Sequence, residues 1–457
     1  LTMSSDVDVG SLYIGDLTTG SSSVTFDNAD ARVLNVGHLR VGMGWDTGTA
    51  LANGTLTIES GTTINLTGAR LYHGCFRNAR GYLYLEGGTL NCGTPAAWAD
   101  AVRLGYKWSS AGQKAPKGYM YLNSGAFNAY CSQFVVGSFT HTNEEYEDQK
   151  IIPAGQIVIQ DADVHVEATN MYVGALIEND TCVLYGEIDA SAASGTVEFE
   201  VGALRIANAY APYQVSNWDE ESFGIFKLGN PANENPQTLT VTGSLLVGNR
   251  RYVDGLLEID DNATLTLGSA GSPINATIGQ HGTGADWPVT GVVRVKSGGK
   301  FTGYLNTVTL AHDGSKWGTT TGTLDLSGPV LGEDGNAFDA VLVRMGSGSG
   351  GDEGNARRLG TLKLGEGTAS IGTLTSDADA TTAAGNSELD IILNGTIVRI
   401  TNSVSLGVYA DADVKVSGDE AGFDLTNTAT LTIAGGGTLD ITFNDPNPDF
   451  NGVYWGL

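Results

Sequence analysis

Long hydrophobic runs are missing from this chain. No apolar stretch approaches the ~20 residues that a helix needs to cross a bilayer, so a helical membrane span is excluded. Apolar residues at 3.6 spacing are also missing, which removes amphipathic helices and the fold classes built from them. Basic residues are scarce: 24 Lys and Arg face 51 Asp and Glu, a formal net charge of −27. A phosphate-binding surface needs the opposite sign, so nucleic acid is not an expected partner, and direct binding to anionic lipid is disfavoured. Only four cysteines occur (Cys75, Cys92, Cys131 and Cys182), with no CxxC. That excludes a disulfide framework and gives zinc no support, although Cys92 and Cys131 fall at similar places in successive repeats and are candidates to pair. The six histidines show no HExxH spacing. The sequence opens at Leu1 without a charged region and apolar core of signal-peptide type, which reads as a mature or trimmed product.

What is present is punctuation. Glycine accounts for 64 of 457 residues, and Leu, Ile and Val come in short bursts bounded by Gly, Asn or Asp. Short strands joined by tight turns follow from that pattern. The bursts repeat. A marker of the form apolar–x–apolar–Gly reads Leu12-Tyr-Ile-Gly15, Leu39-Arg-Val-Gly42, Leu71-Tyr-His-Gly74, Val102-Arg-Leu-Gly105, Phe134-Val-Val-Gly137, Met171-Tyr-Val-Gly174, Leu245-Leu-Val-Gly248 and Ala276-Thr-Ile-Gly279. Weaker copies end at Ala207, Ala311, Arg344, Gly372 and Gly407. The mean period is about 33 residues, within the range of solenoid repeats.

A second strand follows each marker after a loop, as in Gly54-Thr-Leu-Thr-Ile-Glu-Ser-Gly61 and Gly81-Tyr-Leu-Tyr-Leu-Glu-Gly-Gly88. Later copies start at Gly118, Gly155, Gly195, Gly255, Gly291, Gly322 and Gly360. A third comes next, as in Thr63-Ile-Asn-Leu66. All three alternate apolar and polar residues, so each buries one face. The expected fold is all-β: a single-stranded parallel β-helix, or β-solenoid, of about 13 coils, with loops projecting from one edge. Stacked ~4.8 Å apart, such coils make a rod of about 60 Å. Glycine fits corners that need φ > 0, and Asn, Ser and Thr near those corners can ladder between coils. Residues 1–457 are read as one continuous solenoid. The stretch 207–248 breaks the period with an extra Phe226-Lys-Leu-Gly229 strand, and is read as an irregular coil or insertion.

The pairing of Leu39-Arg-Val-Gly-Met-Gly-Trp-Asp-Thr-Gly with Gly54-Thr-Leu-Thr-Ile-Glu-Ser-Gly61 resembles the repeat shared by autotransporter-type adhesins and bacterial exported proteins with PEP-CTERM sorting signals. The resemblance covers most of the chain and implies a bacterial extracellular or cell-surface protein with a β-solenoid body. It brings no catalytic residue with it. Neither a C-terminal membrane barrel nor a PEP-CTERM tail is seen by Leu457, which implies a truncated chain or another mode of attachment.

Candidate contact residues are aromatic. Trp45, Trp108, Trp287 and Trp317 lie in the loops after the marker, with Trp218 after the copy at Ala207. They are expected to contact a neighbouring subunit or stack on glycan, or else to cap their own loops. The segment Asp449-Phe-Asn-Gly-Val-Tyr-Trp-Gly-Leu457 adds Phe450, Tyr454 and Trp455 to the expected subunit contacts. No cofactor is required. Calcium is an optional ligand, with Asp161 and Asp163, and Asp411 and Asp413, as paired carboxylates that share a strand face. Asp260 and Asp261 form a third acidic pair. A polysaccharide lyase or hydrolase would need a basic partner or a second carboxylate at a set gap, and no recurring arrangement of that kind is seen. The expected function is therefore not enzymatic. It is a self-assembling surface protein whose main partner is itself, head to tail, in a filament or layer. The alternative is a glycan-binding adhesin module that meets cell-surface or extracellular polysaccharide, and a lyase or hydrolase is the third reading.

Overall fold

The computed structural model describes residues 1–443 apart from 17–19, 45–51, 77–78, 108–115, 140–153, 178–183, 211–220, 283–287, 314–317, 348–356, 377–386, 407–410, 418–421, 426–429 and 434–438. The described residues hold 28 strands and no helix, and none has the long apolar helix that crosses a membrane. The chain packs as two compact units, Leu1–Leu239 and Thr240–Leu457. Each is a parallel β-helix.

In the first unit the marker strands stack in register. Leu12 pairs with Leu39, Leu39 with Leu71, Leu71 with Val102 and Val102 with Phe134. Second strands do the same, from Leu56 to Leu83, Met120, Ile157, Ile188 and Phe226. Every one of these residues but the edge residue Leu12 is fully or almost fully buried. The period-2 alternation explains why: each strand sends every other side chain inward, and a parallel neighbour in register extends the same apolar column. The second unit repeats the scheme, with Leu257, Val293, Leu324, Leu362 and Ile391 as one such column.

The corner after each marker is what forces glycine. Gly42, Gly74, Gly105, Gly137 and Gly174 have φ between 56° and 66°. A Cβ built on Gly42 would stand 1.9 Å from the Arg80 carbonyl oxygen, in the second strand of the next coil. The glycine that opens that second strand is just as tight: on Gly81 a Cβ would fall 2.5 Å from the Gly74 nitrogen. Two glycine rows thus interlock where one strand crosses another. Ala207 and Ala311 occupy this corner with φ of 50° and 55°, a conformation that costs an L-residue roughly 1–2 kcal/mol. Replacing Ala311 by glycine is expected to stabilise the second unit by about 0.5–1 kcal/mol, part of the relief being offset by the freer unfolded chain. Urea midpoints of the two proteins check this.

Register corrects several boundaries. Gly195-Thr-Val-Glu-Phe-Glu-Val201 is not a second strand: Val197 pairs with Val164 and Val201 with Ala168, which makes it a third strand. The second strand of that coil is Tyr185–Asp189. Phe226 is not in an extra strand either. Ser222–Leu228 pairs with Tyr185–Asp189, from Tyr185 with Phe223 to Asp189 with Lys227. The marker placed at Arg344 turns at Gly346, with φ 65°, because Leu310 pairs with Met345. Gly372 lies at the corner before its marker strand, since Leu342 pairs with Thr373. Gly407 lies outside the described residues. Finally, Cys92 and Cys131 are free and buried. Cys92 faces Ala129 across the coils, two residues before Cys131, and Cys182 is outside the described residues.

The outside of each unit is ordered by ladders. Asp8 accepts from Asn35 (2.7 Å), Asn35 from Asn65 (2.9 Å), Asn65 from Asn91 (2.8 Å) and Asn91 from Asn128 (2.8 Å). These residues sit within the third strands, away from the corners. The marker strands align Tyr13, Arg40, Tyr72, Arg103, Val135, Tyr172 and Arg205. Guanidinium lies over ring at Arg40–Tyr13 (4.4 Å), Arg103–Tyr72 (5.9 Å) and Arg205–Tyr172 (5.5 Å). In the second unit Glu258, Arg294, Asp325 and Lys363 alternate in sign up one column, so each charge meets its opposite in the next coil.

Candidate functional surfaces

Three surfaces emerge from this geometry: a covered marker face, a set of acidic positions, and an exposed aromatic corner. The marker face of the first unit is covered. Met43, Cys75, Phe76, Tyr106 and Ala175 follow their corners and pack with Tyr72, Val135 and Tyr172 in a cluster outside the main core. Phe76 sets its ring edge-on to Tyr72 (5.3 Å) and to Tyr106 (6.2 Å). The roots of the loops after the marker therefore fold back on the strands they leave. Trp45, Trp108, Trp218, Trp287, Trp317, Phe450, Tyr454 and Trp455 all lie outside the described residues. Burial pushes the Cys75 thiol up to about 12, against weaker lowering by hydrogen bonds to backbone at Tyr106 and His73 and by Arg103. Cys131 is likewise raised to about 12 by burial, and Cys92 is raised by burial and by Cys131. Thiols held neutral in this way are packing groups, not nucleophiles.

The acidic pairs are met by neighbouring coils. Asp161 accepts from the Ser194 hydroxyl, and Asp163 from the Thr196 backbone N–H at 2.9 Å. Asp411 and Asp413 belong to Asp411–Ser417, with Asp413 paired to Asp390 in register. Their side chains are outside the described set. Asp260 receives Lys296 Nζ at 2.9 Å, and the same ammonium reaches Glu258 at 2.7 Å. Burial acts to raise the Asp260 carboxyl, but hydrogen bonds from Lys296 and from the Asp261 backbone N–H, with the charge of Lys296, hold it below its usual value. Lys296 is raised in turn, first by its hydrogen bond to Glu258. No group of three His, Cys, Asp or Glu side chains is placed to hold a metal among the described residues.

One exposed aromatic was missed in the sequence. Trp98 is 39% exposed and sits in an insertion at the corner between a third strand and its marker. The insertion is a tight turn, closed by Thr94 N–H to Ala97 O (2.9 Å) and Ala97 N–H to Thr94 O (3.1 Å). Ala99 pairs with Cys131 and both are buried, so the preceding residues, Trp98 and Tyr130, both face outward one coil apart. The Tyr130 ring lies 5.1 Å from that of His165, whose Nδ1 is 2.9 Å from Glu198 Oε2. Arg70 and Asp100 pair beside the turn at 3.6 Å. The signal in the sequence was the Gly93-Thr-Pro punctuation, which lengthens this corner relative to its neighbours.

No family model matches the chain, and neither a curated protein nor a solved structure matches it.

Proposed function

We propose that this is a structural protein of a bacterial cell surface, exported and non-catalytic, whose copies join head to tail in a filament or layer. One observation carries the reading. Among the described residues, Val7–Asp16 pairs only with Arg32–Gly44, and Gly20–Phe26 only with Ala52–Glu59. Each leaves N–H and C=O groups on its outer rim, except at the end of Gly20–Phe26, where the Leu1 amino group donates to Thr25 O and Leu1 O accepts from Asp27 N–H. Such rims template a further strand. Likewise among the described residues, Thr430–Ile433 and Leu439–Phe443 pair on one side only, with Thr396–Leu406 and Asp411–Ser417. Leu431 and Ile433 repeat the spacing of Leu12 and Ile14, so the last described marker of one copy matches the first described marker of another in apolar register. A heterologous contact of this kind extends without closing.

Val9 is the residue to change. It pairs with Val36 and is half-exposed on the rim. A lysine there keeps its charge in water in the free protein and places it inside the column of an incoming coil. Val9→Lys is expected to abolish fibres or sheets seen by electron microscopy at micromolar concentration while leaving the circular dichroism spectrum intact. Unchanged assemblies would remove this end from the contact.

A further inference from the structure

We propose that the corner formed by Trp98, Tyr130 and His165 is a binding site for a neutral polysaccharide. This goes beyond self-assembly and uses a different face of the first unit. An indole is seldom left in water without a reason, since Trp is highly buried on average. Here it is presented by the Thr94–Ala97 turn, whose two backbone hydrogen bonds fix it, and a third bond from Ala97 N–H to Thr94 Oγ1 (3.0 Å) stiffens it further. All of Thr94 to Trp98 is exposed. The turn is anchored where Gly93 meets the Tyr130 carbonyl oxygen, with no room for a Cβ.

Around the indole, rings alternate with fixed polar groups. Tyr130 lies one coil on, and the His165 ring, in register with Asn128, reaches it diagonally from the coil after that at 5.1 Å. Glu198 orients His165, Asp100 pairs with Arg70, and Glu167 and Glu200 stand in register with Tyr130. A pyranose offers the complement: a C–H face that stacks on an aromatic ring, and hydroxyls at its rim that carboxylate, imidazole and guanidinium can bond. Four carboxylates, Asp100, Glu167, Glu198 and Glu200, flank the row on a chain of net charge −27. Uronate or sulfated chains are therefore repelled, and an uncharged glycan is selected.

The test is affinity electrophoresis of the full chain through gels holding a neutral β-glucan, xylan or mannan, with polygalacturonate as the charged control. At least one neutral polymer should retard the protein and polygalacturonate should not. Trp98→Ala is expected to weaken the retardation about tenfold or more, and Trp98→Tyr to restore most of it. Since Trp98 is only 39% exposed, Trp98→Ala is expected to lower the thermal midpoint somewhat and Trp98→Tyr less, and an unchanged circular dichroism spectrum at the assay temperature shows that both variants are folded. The proposal is overturned if no neutral polymer retards the parent, if polygalacturonate binds more strongly, or if Trp98→Ala is retarded as the parent is. Loss of self-association in Trp98→Ala with glycan retardation unchanged would make the corner a contact between copies, which also overturns it. The Val9→Lys variant keeps its Trp98 corner, so failure of assembly and failure of glycan binding are read separately.

Discussion

Gly105→Ala is expected to cost the first unit more than about 3 kcal/mol, from a single added methyl group. The Cβ would lie 1.9 Å from the Ala154 oxygen, 2.3 Å from its carbonyl carbon and 2.7 Å from the Gly155 nitrogen. All three atoms are backbone, so no rotamer change can clear the overlap. The two crossing strands must separate, and the Lys117–Phe139 and Ala154–Ala175 ladders that hold them would lengthen or break. To this is added the roughly 1–2 kcal/mol of placing alanine at φ 60°. Destabilisation of this size is confined to a few mechanisms, and backbone overlap in a packed crossing is one of them. Gly10→Ala is the control: nothing lies within 4 Å of its Cβ and its φ is not positive, so its urea midpoint should stay within error of the parent. A Gly105→Ala protein as stable as Gly10→Ala would mean that the corner is looser than the crossing distances say. At Ala311 the crossing is tight within its own coil, where a Cβ on Gly322 would stand 2.3 Å from the Ala311 nitrogen, and looser only toward the next coil. The glycine of the next coil, Gly360, has only side-chain atoms near its Cβ, the closest at 3.1 Å.

The same corner shows what could be read from the chain alone. Marker glycines declare themselves because only glycine fits them, and the alternating columns declare themselves because every strand has one buried face. Register does not. Gly195-Thr-Val-Glu-Phe-Glu reads like a second strand in composition, and only its pairing with Val164–Ala168 makes it a third. The Arg344 marker was misplaced by two residues for a related reason: with period-2 alternation, a shift of two keeps the same faces buried. The asparagines were expected at corners, where their turn chemistry is familiar, but a parallel stack lets an amide bond its own kind at any outward position. Repeat position points to the loops after the marker for candidate contacts. Trp98 comes before its marker, in an insertion that a search by repeat position passes over.

His73 should make the first unit acid-sensitive, and His73→Leu should remove most of that sensitivity. The residue occupies a core column between Val41 and Leu104 and is fully buried. Its Nε2–H donates to the Tyr119 carbonyl at 2.8 Å. Its Nδ1 is sealed from water with no hydrogen-bond partner, and it lies so close to Gly81 that a Cβ there would be 2.8 Å away. Protonation would put a charge and an unpaired N–H into this apolar column. Burial accordingly lowers the imidazole from 6.5 to about 4, against a smaller raising effect from the Tyr119 hydrogen bond. The sign follows from linkage. Above pH 6.5 both folded and unfolded chains hold the ring neutral and it adds no pH dependence. As the pH falls below 6.5 the unfolded chain takes up the proton first, so stability drops until the folded ring also titrates near 4. By pH 4.5 the loss amounts to about 2.5 kcal/mol. The many carboxylates contribute their own acid dependence, and the difference between parent and His73→Leu isolates the histidine. Urea unfolding of both proteins at pH 7.5 and 4.5 should show the variant losing about 2–3 kcal/mol less than the parent. Equal losses would place His73 in contact with water or an acceptor, and would remove the sealed Nδ1 from the account of this core.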